Sequence, residues 1–160
     1  MDSIGIHSLK SILKETLPET YRLLKMANLT VHPNVRKITL HGSRGPAGGY
    51  REDSDIDLCL VTDVDTQSMD EGQSGYILRE VLQTTLKGSQ CSVELDLAAV
   101  FDSMRCGLSC FNISDYDKLK CKRERNGCIG IFKIQKGFKG FVPPITTVSK
   151  MYPYITIWQR

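Results

Sequence analysis

The sequence predicts an α+β domain, and three observations carry that prediction. Runs with apolar residues at every second position, the spacing of a half-buried strand, occur at 35–40, 55–61 and 91–100. Stretches with apolar residues at helical spacing lie before and between them, at 8–17, 18–28 and 70–87. The chain has 160 residues, 41% hydrophobic and 24% charged, enough to bury one core and too few for two ordinary enzyme domains.

The elements follow in order. "SLKSILKETL" offers Ser8 as an N-cap with Leu9, Ile12 and Leu13 on one helical face, and "PETYRLLKMAN" restarts with Pro18 in a first turn and stops near Asn28. One broken helix or two short ones fit equally. "VRKITL", bounded by Pro33 and Gly42, is a first strand. A loop with Gly42, Gly45, Pro46, Gly48 and Gly49 leads to "DIDLCLV", a second strand. The helix at 70–87 carries a stripe of Tyr76, Ile77, Val81, Leu82, Thr85 and Leu86 and is stopped by Gly88. "CSVELDLAAV" is a third strand. In the tail, "IGIFKI" and "YITIW" read as strands or a hairpin among Gly137, Gly140, Pro143, Pro144 and Pro153. There is no internal repeat.

Charge and composition narrow the function classes. No run reaches the roughly 20 apolar residues of a membrane helix, and the start has Asp2 where a signal peptide would be basic. The expected location is therefore cytoplasmic, with no membrane partner. Six cysteines (Cys59, Cys91, Cys106, Cys110, Cys121 and Cys128) form no C-x-x-C pair and read as free, mostly buried thiols. The net charge of +3 hides an asymmetry: eight basic residues and one acid, Glu124, lie between Lys118 and Lys139. His7, His32 and His41 are scattered and receive no role, although His41 stands two residues from Ser43.

Strand periodicity selects the acids that can cooperate, because residues i and i+2 share a face roughly 6.5 to 7 Å apart. Asp55 and Asp57 lie opposite the apolar face of Ile56, Leu58 and Leu60; Glu94 and Asp96 lie opposite that of Val93, Leu95 and Leu97. Asp53 has the right parity but belongs to the loop. If the two strands are neighbours, three carboxylates converge and repel one another unless a cation joins them. An all-oxygen ligand set selects Mg²⁺, with Mn²⁺ as a substitute. The plainer alternative is a solvated sheet face. Gly42 and Ser43, at the exit of the first strand, allow close backbone approach to an anion and add a hydroxyl donor, a clamp for phosphate opposite that cation.

"HGSR" followed by "SDIDL", with eleven residues between Ser43 and Asp55, resembles the signature of the nucleotidyltransferase superfamily, most closely the small single-domain minimal nucleotidyltransferases. The resemblance covers about 35–100. It implies a polymerase-β-like fold, a short mixed β-sheet backed by helices. It also implies that Gly42 and Ser43 hold the phosphates of a nucleoside triphosphate, ATP by analogy, while Asp55, Asp57 and Asp96 bind Mg²⁺. Glu94 is the alternative third ligand, or else the base that takes the acceptor's proton. Arg44 is either a phosphate partner or a solvated surface residue. The implied reaction is attack of an acceptor hydroxyl on the α-phosphorus with loss of pyrophosphate.

Small members of the family include antitoxins that adenylylate a helical HEPN-type toxin, which makes such a protein the expected partner; others resemble aminoglycoside-type nucleotidyltransferase subunits. A different class of answer is a nucleotide- or partner-binding module without catalysis. The catalytic core is expected at 1–117 and a basic, aromatic extension at 118–160, packed on the core as strands. That extension can be read as a nucleic-acid surface at 118–140; ordinary strands with their lysines on a solvated face are the preferred reading.

Overall fold

The computed structural model describes residues 2–3, 9–103, 129–142 and 148–160. Ser8, His7, Cys106, Cys110, Cys121, Cys128, Pro143, Pro144 and the basic residues from Lys118 to Arg125 lie outside the described residues. A two-residue strand β1 (Asp2–Ser3) pairs with β2 (Thr30–Val31), and between them run α1 (Ser11–Thr16) and α2 (Pro18–Ala27). These are two short helices rather than one. Pro18 takes the first position of α2, where a missing N–H costs no intrahelical bond, and Asn28 ends it in the left-handed region at φ 51°.

The remaining elements are β3 (Val35–His41), β4 (Ile56–Thr62), α3 (Glu71–Gly88), β5 (Leu95–Asp102), β6 (Ile129–Lys133), β7 (Gly140–Val142), a 3-10 turn at Val148–Met151 and β8 (Ile155–Gln159). Six of the strands form one mixed sheet in the order β7-β6-β5-β4-β3-β8. β4 and β5 are parallel, joined through α3, and every other pairing is antiparallel. The fold is therefore α+β with a mixed six-stranded sheet.

Three expectations need correction here. β5 begins at Leu95, not Cys91, because its partner β4 begins at Ile56; the Ile56 N–H donates to the Glu94 carbonyl at 2.9 Å, and upstream of that there is no strand to pair with. On α3 the predicted Val81, Leu82 and Thr85 are buried and Ile77 and Leu86 pack partly buried against the core, but Tyr76 is 65% exposed and Leu78, outside the predicted stripe, is fully buried. The two tail segments also do not pair with each other. β6 and β7 form a hairpin against β5, and β8 closes the opposite side against β3.

Strand parity is as the sequence implies. Ile38, Leu40, Ile56, Leu58, Leu60 and Leu97 face α1, α2 and α3 and meet Leu13, Leu24, Leu78 and Leu82, all fully buried. Each such side chain contributes on the order of 1.5–3 kcal/mol. The other face carries Cys59, Val61, Ala98, Val100, Ile131 and Val142, packed with Met151, Tyr152 and Tyr154. One end of that second face is polar, and it holds the candidate site. Among the described residues no helix is long and apolar enough to cross a membrane.

Candidate active site

Parallel pairing of β4 with β5 sets Asp57 directly beside Asp96, and antiparallel pairing of β4 with β3 sets His41 on its other side. Asp57 is half-buried. Burial raises its carboxyl to about 7, reinforced by the charge of Asp96 and a hydrogen bond with it, while Lys133 acts in the opposite direction. The two carboxyls thus lie close enough to share a proton. His41 is pushed down to about 4, chiefly by burial and then by the positive charge of Lys133, so its ring is neutral at pH 7. Cys59 behind it, fully buried and pushed up to about 12 by desolvation, stays a thiol and lies 3.7 Å from His41 Nδ1. A thiol that donates to Nδ1 leaves the ring proton on Nε2.

Gly42 turns the chain out of β3 at φ +75°, and any Cβ there would collide with the Asp57 carboxylate. The backbone of the Gly-Ser step therefore rests on the acid it was expected to face. Ser43 follows, half-buried, in a tight turn closed by the Gly45 N–H donating to the Gly42 carbonyl at 3.0 Å. His41, Gly42, Asp57, Asp96, Lys133, Lys150 and Met151 line a cavity of about 240 Å³. It opens where β4 and β5 begin, the end of the parallel pair opposite to the usual ligand crevice of α/β sheets, because β3 runs the other way and delivers its loop there.

Asp55 and Glu94 do not join this group. They stand at the rim, bridged by Lys136, whose Nζ lies 2.8 Å from Asp55 Oδ2 and 3.3 Å from Glu94 Oε2. Lys133 Nζ lies 3.1 Å from Asp96 Oδ1, and both of those side chains are about 15% exposed. The inner pair is thus much less screened by solvent than the outer one. Gln135 adds a third tie, accepting from Leu97 N–H and donating to the Leu95 carbonyl.

Arg44 is neither a solvated residue nor turned to the cavity. It is 3% exposed, donates to the carbonyls of Arg51, Glu52 and Ser54, and stacks on Tyr50. Its fork holds the loop between β3 and β4 in shape, and Thr20 on α2 pins the Arg44 carbonyl from the other side at 2.6 Å.

No family model, curated protein or solved structure matches this chain. The chemistry must therefore be read from the side chains. Among the described residues no three acidic, histidine or cysteine ligands converge on one point, so the built offer to a metal is the pair Asp57 and Asp96. That suits Mg²⁺, which is commonly held by one or two carboxylates with water and phosphate oxygens filling the octahedron. Two crowded carboxyls whose repulsion is relieved by a proton would equally be relieved by such an ion.

The sequence reading gave His41 no role despite its place near Ser43, and missed Lys133, Lys136, Gln135 and Lys150. A signal existed for one of them. Ile129, Ile131 and Lys133 alternate on one face of β6, and a lysine that ends an apolar face points to an acid on the neighbouring strand.

Proposed function

We propose that the protein is a Mg²⁺-dependent nucleotidyltransferase with a polymerase-β-like fold, moving a nucleoside monophosphate, AMP from ATP in the simplest case, onto a hydroxyl acceptor. The observation that carries this reading is the side-by-side placement of Asp57 and Asp96 with the Gly42–Ser43 turn resting on Asp57. Asp57 and Asp96 would hold the metal, which when bound supplies charge stabilisation at the reacting phosphoryl group. Lys133 and Lys150 line the cavity and would supply positive charge to a phosphate there, while Ser43, next to the lining Gly42 but outside the lining itself, would bring a rotatable donor from the turn. The acceptor oxygen bonds to the α-phosphorus, the bond to the β-phosphate bridging oxygen breaks, and pyrophosphate leaves with the electron pair. The acceptor's proton passes to solvent or to Glu94 at the rim. A cavity of about 240 Å³ is below the roughly 300 Å³ at which ligand pockets begin. It suits the phosphates, with base and sugar outside. A helical HEPN-type protein or a small hydroxyl compound is the acceptor to try first, in the cytoplasm.

The ion pairs of Asp96 with Lys133 and of Asp55 with Lys136 favour a second reading, a binding module in which the chain neutralises its own acids. One experiment separates the two. Purified protein with labelled nucleoside triphosphate, Mg²⁺ and candidate acceptors should release pyrophosphate, and Asp57→Ala or Asp96→Ala should reduce release by about a hundredfold or more. Triphosphate binding without pyrophosphate release for any nucleotide and acceptor would establish the module instead.

A further inference from the structure

Two carboxyls side by side in a half-buried position need positive charge nearby, and the chain supplies it from β6. The antiparallel pairing of β5 with β6, with Ala99 opposite Phe132, brings Lys133 to Asp96 at 3.1 Å. Its ammonium also lies 5.6 Å from the Phe138 ring centroid, an aromatic face that favours a cation there. Solvent reaches little of either partner. Lys136 does the same for Asp55 and Glu94, but it is 44% exposed and more strongly screened.

We propose that Lys133 is the resident counter-cation of the Asp57–Asp96 pair, and that a divalent cation binds this pair by displacing the Lys133 ammonium. The inference rests on the reading that the pair holds a metal; it does not rest on nucleotidyl transfer. An ammonium and a divalent ion on one carboxylate repel each other, and in a weakly screened site that repulsion is felt almost fully. Metal affinity is therefore set by how firmly Lys133 holds Asp96, and a neutral residue at 133 raises it. Lys133 is a positioning residue here, not a ligand.

The test measures Mn²⁺ binding by electron paramagnetic resonance on wild type, Lys133→Met, Lys133→Arg and Asp57→Asn, with circular dichroism to confirm the fold. Lys133→Met should bind Mn²⁺ about tenfold more tightly or better, the scale on which one nearby charge moves a proton equilibrium. Lys133→Arg, which keeps the charge, should not, and Asp57→Asn should bind more weakly than wild type. Unchanged or weaker binding by folded Lys133→Met overturns the proposal. Undiminished binding by Asp57→Asn overturns the metal-site reading beneath it. A second readout needs no substitution: in ¹³C-labelled wild type, the Lys133 Cε signal should shift as Mg²⁺ is added and saturate with it. A signal that stays in place overturns the proposal even if Lys133→Met does not fold. Tightened Mn²⁺ binding by Lys133→Met together with no pyrophosphate release by the wild-type protein, for any nucleotide and acceptor, leaves the exchange standing and removes the enzymatic reading.

Discussion

His41 and Asp57 face each other across β3 and β4, and their protons pull stability in opposite directions. His41 moves from 6.5 to about 4 on folding, so between those values the unfolded chain binds more protons; its contribution is present above pH 6.5 and lost as pH falls towards 4. Asp57 moves from 3.8 to about 7, so there the folded chain binds more; its contribution is present below pH 4 and lost as pH rises through 7. From pH 4 to 6.5 the two slopes nearly cancel. In metal-free buffer Asp57→Asn should therefore show a urea midpoint that climbs with pH across that window where wild type is flat. A flat profile for the variant would mean that Asp57 does not hold the extra proton. Strand parity narrowed the acids to Asp55, Asp57, Glu94 and Asp96; only the register of β4 against β5 separates Asp57 and Asp96 from the other two. Lys133 and Lys136 were not legible in the sequence, since their partners lie about 40 and 80 positions away and only the sheet order joins them. Arg44 was illegible for a local reason: its carbonyl partners at 51, 52 and 54 exist only once the loop has closed around it.

At the level of elements, α3 is fixed at its start by a reciprocal pair. Asp70 Oδ1 accepts from the Gln73 N–H at 2.7 Å, and Gln73 Oε1 accepts from the Asp70 N–H at 3.2 Å, so two helix-end donors are satisfied at once. Asp70→Ala should lower stability by about 1 kcal/mol in chemical denaturation. No change would show that packing of Leu78, Val81 and Leu82 holds the first turn without the cap. The extent of this helix was readable from apolar spacing, but its buried face was not wholly so. Tyr76 and Leu78 are both apolar and lie about 200° apart around a helix, and only the sheet beneath selects Leu78. The start of β5 was unreadable for a similar reason, because Cys91 and Val93 carry the alternation upstream of Leu95, where pairing with β4 begins.

On the scale of the whole molecule, the tail strands bracket the sheet. Trp158 on β8, the chain's one tryptophan, is 8% exposed and belongs to the main core, with the Arg160 guanidinium 5.2 Å from its ring centroid. Its fluorescence should therefore shift to the red in one transition that coincides with the loss of far-ultraviolet circular dichroism. An earlier fluorescence change would show that β8 detaches by itself. The mixed sheet could not be ordered from the sequence, since alternation marks strands but carries nothing about their neighbours. The pairing of β3 with β8 also bears on how the chain is made. Leu40 pairs with Ile155, about 115 positions later, so during synthesis β3 waits with one edge bare while the intervening chain emerges. A waiting edge invites pairing with other nascent chains, and charged residues within the strand discourage it. Arg36 and Lys37 are such residues. Lys37 ends only 3% exposed, with burial lowering its pKa to about 8, and its charge serves the chain best in the interval before β8 arrives.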